Sequence, residues 1–355
     1  MKHINEIENM LKSYIEEGAF PGCCYALVTL DDVYINSLGN KALFPSVEKN
    51  NIDTLYDLAS LTKVISTLTA ILTLHDQGLL KFSDKVCDYL PRFKHKSLTL
   101  LHLLNHTSGL PAGVYGVKNM KTKEDVVNAI YDAELIYETE SKIVYSCVNF
   151  MVLGFIVEAI SGKSLDKFMA PIFAKMEMTD TGYNPKDTLR CAPTEERNDD
   201  ICKGIVRGYV HDETAYLLGG VSGNAGLFST ISDLTKFIKM YLNYGTYNGE
   251  EIIKKSTIDE ILGYSVKYEN TENNTSYVRT IGWLIAGHNE PIGQYASSKT
   301  IHHTGFTGTN MWIDLERGVG FCLLTNRVHP TRQNFLLMKR RKELADYINS
   351  NDCFE

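Results

Sequence analysis

The stretch TLYDLASLTKVISTLTAILTLHDQG, residues 54–78, decides how the rest of the chain is read. Leu61, Val64, Ile65, Leu68, Ile71 and Leu72 recur at helical spacing and Gly78 supplies a stop, so the pattern predicts an amphipathic helix. Ser60 and Lys63 stand three apart at its head, and residues i and i+3 share a helix face. A hydroxyl and an ammonium therefore project side by side from the first turn. A serine hydroxyl is a weak nucleophile until a neighbour accepts its proton and N–H groups await the oxyanion. A helix start offers both unsatisfied N–H groups and the positive end of the helix dipole. One turn can thus hold a nucleophile, a proton-transfer partner and part of the electrostatic support. The same spacing also occurs in solvated helix starts, so the remaining parts must come from elsewhere in the chain.

With 355 residues, the chain is long enough for two substructures around a sizeable core. Hydrophobic residues at 44% and charged residues at 22% describe an ordinary globular protein. The net charge of -7, with no basic run, argues against nucleic acid and anionic membrane surfaces as partners. Cys23, Cys24, Cys87, Cys147, Cys191, Cys202, Cys322 and Cys353 form no C-x-x-C pair, which reads as free-thiol usage in a reducing compartment. The opening MKHINEIENMLKSYIEEG carries acidic residues and no apolar core, so it is not a signal peptide; Ile4, Ile7, Met10, Leu11, Tyr14 and Ile15 mark a helix face instead. The longest apolar run, Phe150–Ile160, is too short to span a bilayer and is interrupted by Glu158. These features predict a cytoplasmic protein without a membrane span.

Taken in order, the first helix is followed by Cys23–Leu30 and Val33–Leu38, two strands joined at Asp31-Asp32. Residues 120–175 read as helices with a break at Val144–Asn149, residues 180–225 as loops, and Asp233–Tyr244 and Glu250–Leu262 as helices. Strand-like runs at Thr280–Ala286, Lys299–His303, Asn310–Asp314 and Val319–Leu324 precede a last helix over 331–349. Strands at both ends with helices between predict an α+β fold. The N-terminal hairpin and the C-terminal strands share one antiparallel sheet covered by the terminal helices. The expected units are 1–58 with 205–355 as the sheet unit and 59–204 as the helical unit, with the active site at their junction.

Two further groups carry chemistry. Tyr145-Ser146-Cys147 lies at the break between helices. A tyrosine beside a lysine loses its proton more readily and can then serve as a base. His303-Thr304-Gly305 ends a strand-like run before Phe306, with a small residue that lets a substrate approach and an N–H that can serve as a second oxyanion donor. By contrast, Ser161-Gly162-Lys163-Ser164 lacks the upstream glycine of a phosphate-binding loop, and His211-Asp212-Glu213 reads as a hydrogen-bonding segment bordering the cleft rather than a metal site.

Ser-x-x-Lys, a Tyr-containing break and a His-Thr-Gly run, in this order, resemble the serine β-lactamase and penicillin-binding-protein superfamily. The branch most similar is that of class C β-lactamases, D-alanyl-D-alanine carboxypeptidases and related esterases, within it a penicillin-binding-protein-4B-like subgroup. Phe20-Pro21-Gly22, Leu103–Pro111 (LLNHTSGLP), Gly219–Thr230 (GGVSGNAGLFST) and Leu324–Pro330 (LTNRVHP) extend the resemblance over nearly the whole chain. It implies a β-lactamase/transpeptidase-like fold and a hydrolase that needs no cofactor or metal. Ser60 would be acylated, and Lys63 and Tyr145 would share proton transfers. Ser60 and Phe306 would donate to the oxyanion, and His303, Thr304, Gly305 and Cys147 would line the substrate site. The implied substrate is a short peptide or small molecule: a D-Ala peptide, a β-lactam or an ester. Two positions depart from the family pattern. Cys147 stands where Asn or Asp is usual, and a thiol is a weak hydrogen-bonding group, so β-lactam hydrolysis is expected to suffer. His303 replaces Lys and would lose its charge near neutral pH, weakening recognition of a carboxylate as pH rises. The alternative expectation is a catalytically weak penicillin- or peptide-binding module built on the same pocket.

Overall fold

Alternation in one strand sets out the layers. Along β1 (Gly22–Thr29), Cys23, Tyr25 and Leu27 enter one apolar core, and Cys24, Ala26 and Val28 enter another. The first core lies under the terminal helices, through Ile7, Leu11, Leu344 and Ile348. The second is larger and takes in Ile65, Leu68, Phe237, Ile238 and Tyr241. The sheet is thus covered on both faces, and β1 is buried along nearly its whole length. The computed structural model describes all residues but Asp200, 271–274, 287–290, Asp352 and Glu355.

The other strands of this sheet are β2 (Val33–Ala42), β3 (Glu48–Lys49), β4 (Val266–Asn270), β5 (Thr275–Arg279), β6 (Leu284–Ile285), β7 (Thr300–Thr304), β8 (Asn310–Asp314) and β9 (Val319–Thr325). Their order is β4-β5-β6-β7-β8-β9-β1-β2-β3, antiparallel at every pairing. Cys23 faces Thr325 and Thr29 faces Val319, so the N-terminal hairpin closes directly onto the C-terminal strands, as its pattern predicts. The major helices are α1 (Ile4–Glu16), α2 (Thr69–Asp76), α3 (Cys147–Ser161), α4 (Ile231–Leu242) and α5 (Leu336–Ser350). Helix α4 sits so close to the sheet that a Cβ on Gly320 would lie 2.4 Å from Cγ2 of Ile238.

Several boundaries differ from the sequence pattern. The hairpin β4–β5 was not expected: VKYEN and TSYVR are short and hold only two apolar or aromatic residues each. The expected strand Thr280–Ala286 shrinks to Leu284–Ile285, since the chain bends through Gly282 at φ +83 against Leu68. Helix α5 starts at Leu336 rather than 331. The Asn334 amide caps carbonyls of Gly18 and Ala19, and Arg327 takes the carbonyls of Arg332 and Asn334, which holds 331–335 out of helical form. The apolar run 150–160 lies within α3, which is buried at nearly every turn. Among the described residues no single helix is long and apolar enough to cross a membrane.

Two tertiary contacts hold the loops around the cleft. The segment before Leu227–Ser229 presses its backbone onto α3: a Cβ on Gly223 would come within 1.9 Å of the Phe150 carbonyl oxygen. An ion cluster ties three distant segments together. Arg332 bridges Glu195 and Glu213 at 2.6 and 2.7 Å, Arg197 joins Glu213 at 2.9 Å, and His211 Nε2 meets Glu195 at 3.1 Å. Burial pushes the Glu195 carboxyl up, but hydrogen bonds from His211 and Arg332 outweigh it and bring it down to about 2.

Both contacts can be read in stability measurements. Gly223→Ala should cost more than about 2 kcal/mol in a denaturant melt, whereas Gly182→Ala, whose Cβ meets nothing within 4 Å, should stay within about 0.5 kcal/mol. Because Glu195 has a folded-state value below its unfolded one, its contribution is complete above about pH 4.5 and is lost as pH falls toward about 2. Wild type should therefore lose about 1–3 kcal/mol more than Glu195→Gln between about pH 5 and pH 2, read from melts at each pH.

Candidate active site

The turn that carries Ser60 is built before the helix begins. Asp57 ends a short strand paired with Phe228, and its buried carboxylate accepts the Ala59 N–H at 2.8 Å and the His211 N–H at 2.7 Å. Burial pushes that carboxyl up, and the two N–H donors pull it back. Its grip holds Ala59 at φ +46, a backbone conformation that a residue with a Cβ adopts only at a cost of roughly 1–3 kcal/mol. Tight turns come next: Leu61, Thr62 and Lys63 N–H groups donate to the carbonyls of Leu58, Ala59 and Ser60 at 3.0–3.1 Å. The expected regular helix instead winds as a π-helix over Lys63–Leu68 before α2. The wide turns occur where Lys63 and Thr67 both reach across to main-chain carbonyls of the 223–224 segment.

Lys63 is fully buried. Its ammonium donates to Ser60 Oγ at 3.1 Å, to the Asn224 carbonyl at 3.0 Å and to Cys147 Sγ at 3.5 Å, and lies 4.9 Å from the centre of the Tyr145 ring. Burial pushes the amine down, but Cys147 and Tyr145, as potential anions beside it, outweigh burial and hold it above its ordinary value. Tyr145 behaves against expectation. Burial pushes its phenol up, and although the Lys63 ammonium and Ser60 hydroxyl pull the other way, it stays above its ordinary value. The resting site is therefore an ammonium, a phenol and a hydroxyl in mutual contact.

The strand end at 303–306 completes the group. Thr307 and Thr309 hydroxyls donate to the carbonyls of Asp57 and Leu58 at 2.8 and 3.0 Å, seating this loop on the Ser60 turn. The seat requires glycine at 305, where a Cβ would lie 2.5 Å from the Leu58 carbonyl oxygen and 2.1 Å from Thr309 Oγ1. Phe306 projects its ring outward between His211, stacked at 5.7 Å, and the Arg327 guanidinium at 4.7 Å. Among the described residues, the N–H groups of Ser60 and Phe306 donate to no main-chain carbonyl. Thr304 accepts, through its carbonyl, the Nδ1–H of His303 at 3.0 Å. The expectation that His303 titrates near neutrality is corrected. Burial, followed by the charges of Arg279 and Lys63, pushes its imidazole well below its usual range, so it is neutral wherever the protein is folded at ordinary pH.

Ser60, Lys63, Tyr145, Cys147, His303, Thr304, Gly305 and Phe306 thus converge. Four contributors were not singled out from sequence: Asp57, the Asn224 carbonyl, His106 and Arg279. Asn224 and His106 lie inside the runs GGVSGNAGLFST and LLNHTSGLP, which carried the family resemblance without assigning either residue a role. Arg279 stands in no motif, yet its guanidinium is buried 5.7 Å from the Tyr145 ring centre. The cavity of about 690 Å³ over the Glu195–Arg332 cluster is a separate feature, since none of the converging residues lines it.

Comparison with known proteins shows the family and the fold. The family model described as Beta-lactamase matches residues 7–345. The chain is 30% identical to "N-acetylmuramyl-L-alanine amidase" of Bacillus subtilis (strain 168), covering 92% of this chain and 82% of the relative. It is 32% identical to "Putative D-alanyl-D-alanine carboxypeptidase" of Escherichia coli (strain K12), covering 93% of this chain and 83% of that protein. A solved "Beta-Lactamase/D-Alanine Carboxypeptidase" from Pseudomonas syringae superposes with a TM-score of 0.76 at 16% identity, over 98% of each chain, which shows a shared fold. With a matching family model along almost its whole length, a sheet of the corresponding build and relatives named as carboxypeptidase and amidase, this chain belongs to the β-lactamase family and is a hydrolase of that family's serine type.

Proposed function

We propose that Ser60 is the nucleophile of an acyl-transfer hydrolase and that Lys63 and Tyr145 carry its proton. The observation that supports this most directly is the 3.1 Å contact from the buried Lys63 ammonium to Ser60 Oγ. Ser60 Oγ attacks the carbonyl carbon of the substrate, forming the ester bond as its proton passes to the Lys63–Tyr145 pair. The pair returns a proton to the leaving group as the scissile bond breaks, and water then releases the acid and restores the hydroxyl. The N–H groups of Ser60 and Phe306 receive the developing oxyanion. The pair can accept a proton only after losing one of its own, as phenolate beside ammonium or phenol beside amine. That form is the minor one at neutral pH and grows with pH, because both groups sit above their ordinary values.

The favoured substrates are short acyl compounds of the class named for the relatives, a peptide ending in D-Ala above all, with β-lactams and small esters as surrogates. His303, held neutral by burial, supplies no charge to a substrate carboxylate. The thiol of Cys147, a weak acceptor from Lys63 at 3.5 Å, favours slow turnover of the acyl-enzyme over rapid β-lactam hydrolysis.

Intact-protein mass after brief exposure to a penicillin should show one adduct on wild type and none on Ser60→Ala; an adduct of equal yield on both would place the nucleophile elsewhere. With a small neutral ester, kcat/KM should rise from about pH 6 to about pH 9, as the proton-poor form of the pair grows, approaching tenfold per pH unit. An inflection near the ordinary histidine value of about 6.5 would put the base on an imidazole instead.

A further inference from the structure

We infer that His106 is a positioning residue for Tyr145, holding the phenol in register with Lys63 and Ser60. This rests on the reading of Tyr145 as a proton-transfer group. Residues 143–146 have no regular structure before α3 begins, so nothing in the local backbone orients Tyr145. The ties come from the turn at 106–112. The main-chain carbonyl of His106 accepts the Val144 N–H at 3.0 Å, and its ring Nδ1 accepts the Ser146 N–H, also at 3.0 Å. One residue thus grips both neighbours of Tyr145. Its imidazole also lies against the Tyr145 ring, with centroids 4.9 Å apart and planes inclined by 33°. The turn adds two more ties downstream: Ser146 Oγ donates to the Pro111 carbonyl at 2.6 Å, and the Cys147 N–H donates to the Ala112 carbonyl at 2.8 Å.

The chemistry of the ring matches the task. His106 is buried, with φ +63, a left-handed conformation that His and Asn tolerate better than most residues. Because Nδ1 faces the Ser146 N–H and, at 3.4 Å, the Asn149 side-chain amide, it must be the acceptor, and the proton sits on Nε2. Burial, with Arg279, Lys63 and His303 around it, keeps the ring neutral, so the acceptor is present whenever the protein is folded. His106 touches no reacting atom on this account. It fixes where the Tyr145 oxygen stands, and a displacement of about 1 Å at such a group costs about a hundredfold in rate.

The test compares His106→Phe, which keeps a ring face and loses the acceptor, with His106→Asn, whose Oδ1 can take the Ser146 N–H and which accepts φ +63. The readouts are kcat and KM for a small ester, the rate of penicillin adduct formation at Ser60, and the melting temperature. His106→Phe should lose about ten- to a hundredfold in kcat and in adduct rate, with KM within about threefold, and His106→Asn should recover most of that loss. A folded His106→Phe with wild-type kcat, or Asn and Phe variants equally slow, would overturn the inference. Should the Phe variant not fold, nitrogen-15 spectra of wild type decide: the neutral Nε2–H form of His106 from about pH 6 to about pH 8 supports the acceptor role, and an imidazolium there refutes it. A wild type that forms no adduct on Ser60 and turns over no ester would overturn the reading of Tyr145 together with this one, whereas normal wild-type acylation with an unaffected His106→Phe overturns this one alone.

Discussion

The site depends on an ammonium buried where bulk water cannot solvate it. An isolated charge in such a place is costly, and it persists only when protein dipoles replace the lost water. Lys63 obtains that replacement from the Ser60 hydroxyl, the Asn224 carbonyl, the Cys147 sulfur and the face of the Tyr145 ring. These partners come from three separate parts of the chain. The demand of one charge therefore fixes the meeting point of the Ser60 turn, the start of α3 and the segment ahead of Leu227–Ser229.

Close backbone approach is the means by which the segments meet. Gly223 lets a main-chain carbonyl reach Lys63 by lying directly on α3, and Gly305 lets the loop that follows β7 rest on the carbonyl of Leu58. Asp57 acts in the same sense from within, accepting the N–H of Ala59 ahead of Ser60 and that of His211. His211 in turn stacks on Phe306 and joins the Glu195 cluster, so the Phe306 loop is connected to a network of ion pairs outside the site. A site assembled in this way is rigid, which suits electrostatic stabilisation by donors placed in advance of the reaction.

The two departures from the family pattern have different consequences. At position 303, histidine removes a charge outright, because the ring is buried between Arg279 and Lys63 and is held neutral. A buried guanidinium, that of Arg279 on β5, lies 5.7 Å from the Tyr145 ring centre. At position 147, cysteine keeps contact with Lys63 through a soft, weak acceptor. The combination is a Ser60 hydroxyl held against a buried ammonium and a sulfur contact to Lys63 that is looser than an amide or carboxylate would provide.

Much of this was legible in the residues. The spacing of Ser60 and Lys63, the break at Tyr145, the His303–Phe306 run and the pairing of terminal strands in one antiparallel sheet all rest on local periodicity and motif, which a sequence displays directly. The polar hairpin β4–β5 was not, because its strands carry few apolar residues, and neither was the late start of α5, which tertiary hydrogen bonds decide. The protonation of His303 and Tyr145 escapes a reading of the sequence for a related reason: a pKa is set by burial and by charges brought from afar. By itself the sequence determined which groups could react and the fold class that would carry them. Only the tertiary structure decided which of them are charged, which carbonyl faces Lys63, and that His106 and Arg279 stand beside Tyr145, because those facts depend on distances between residues that lie far apart along the chain.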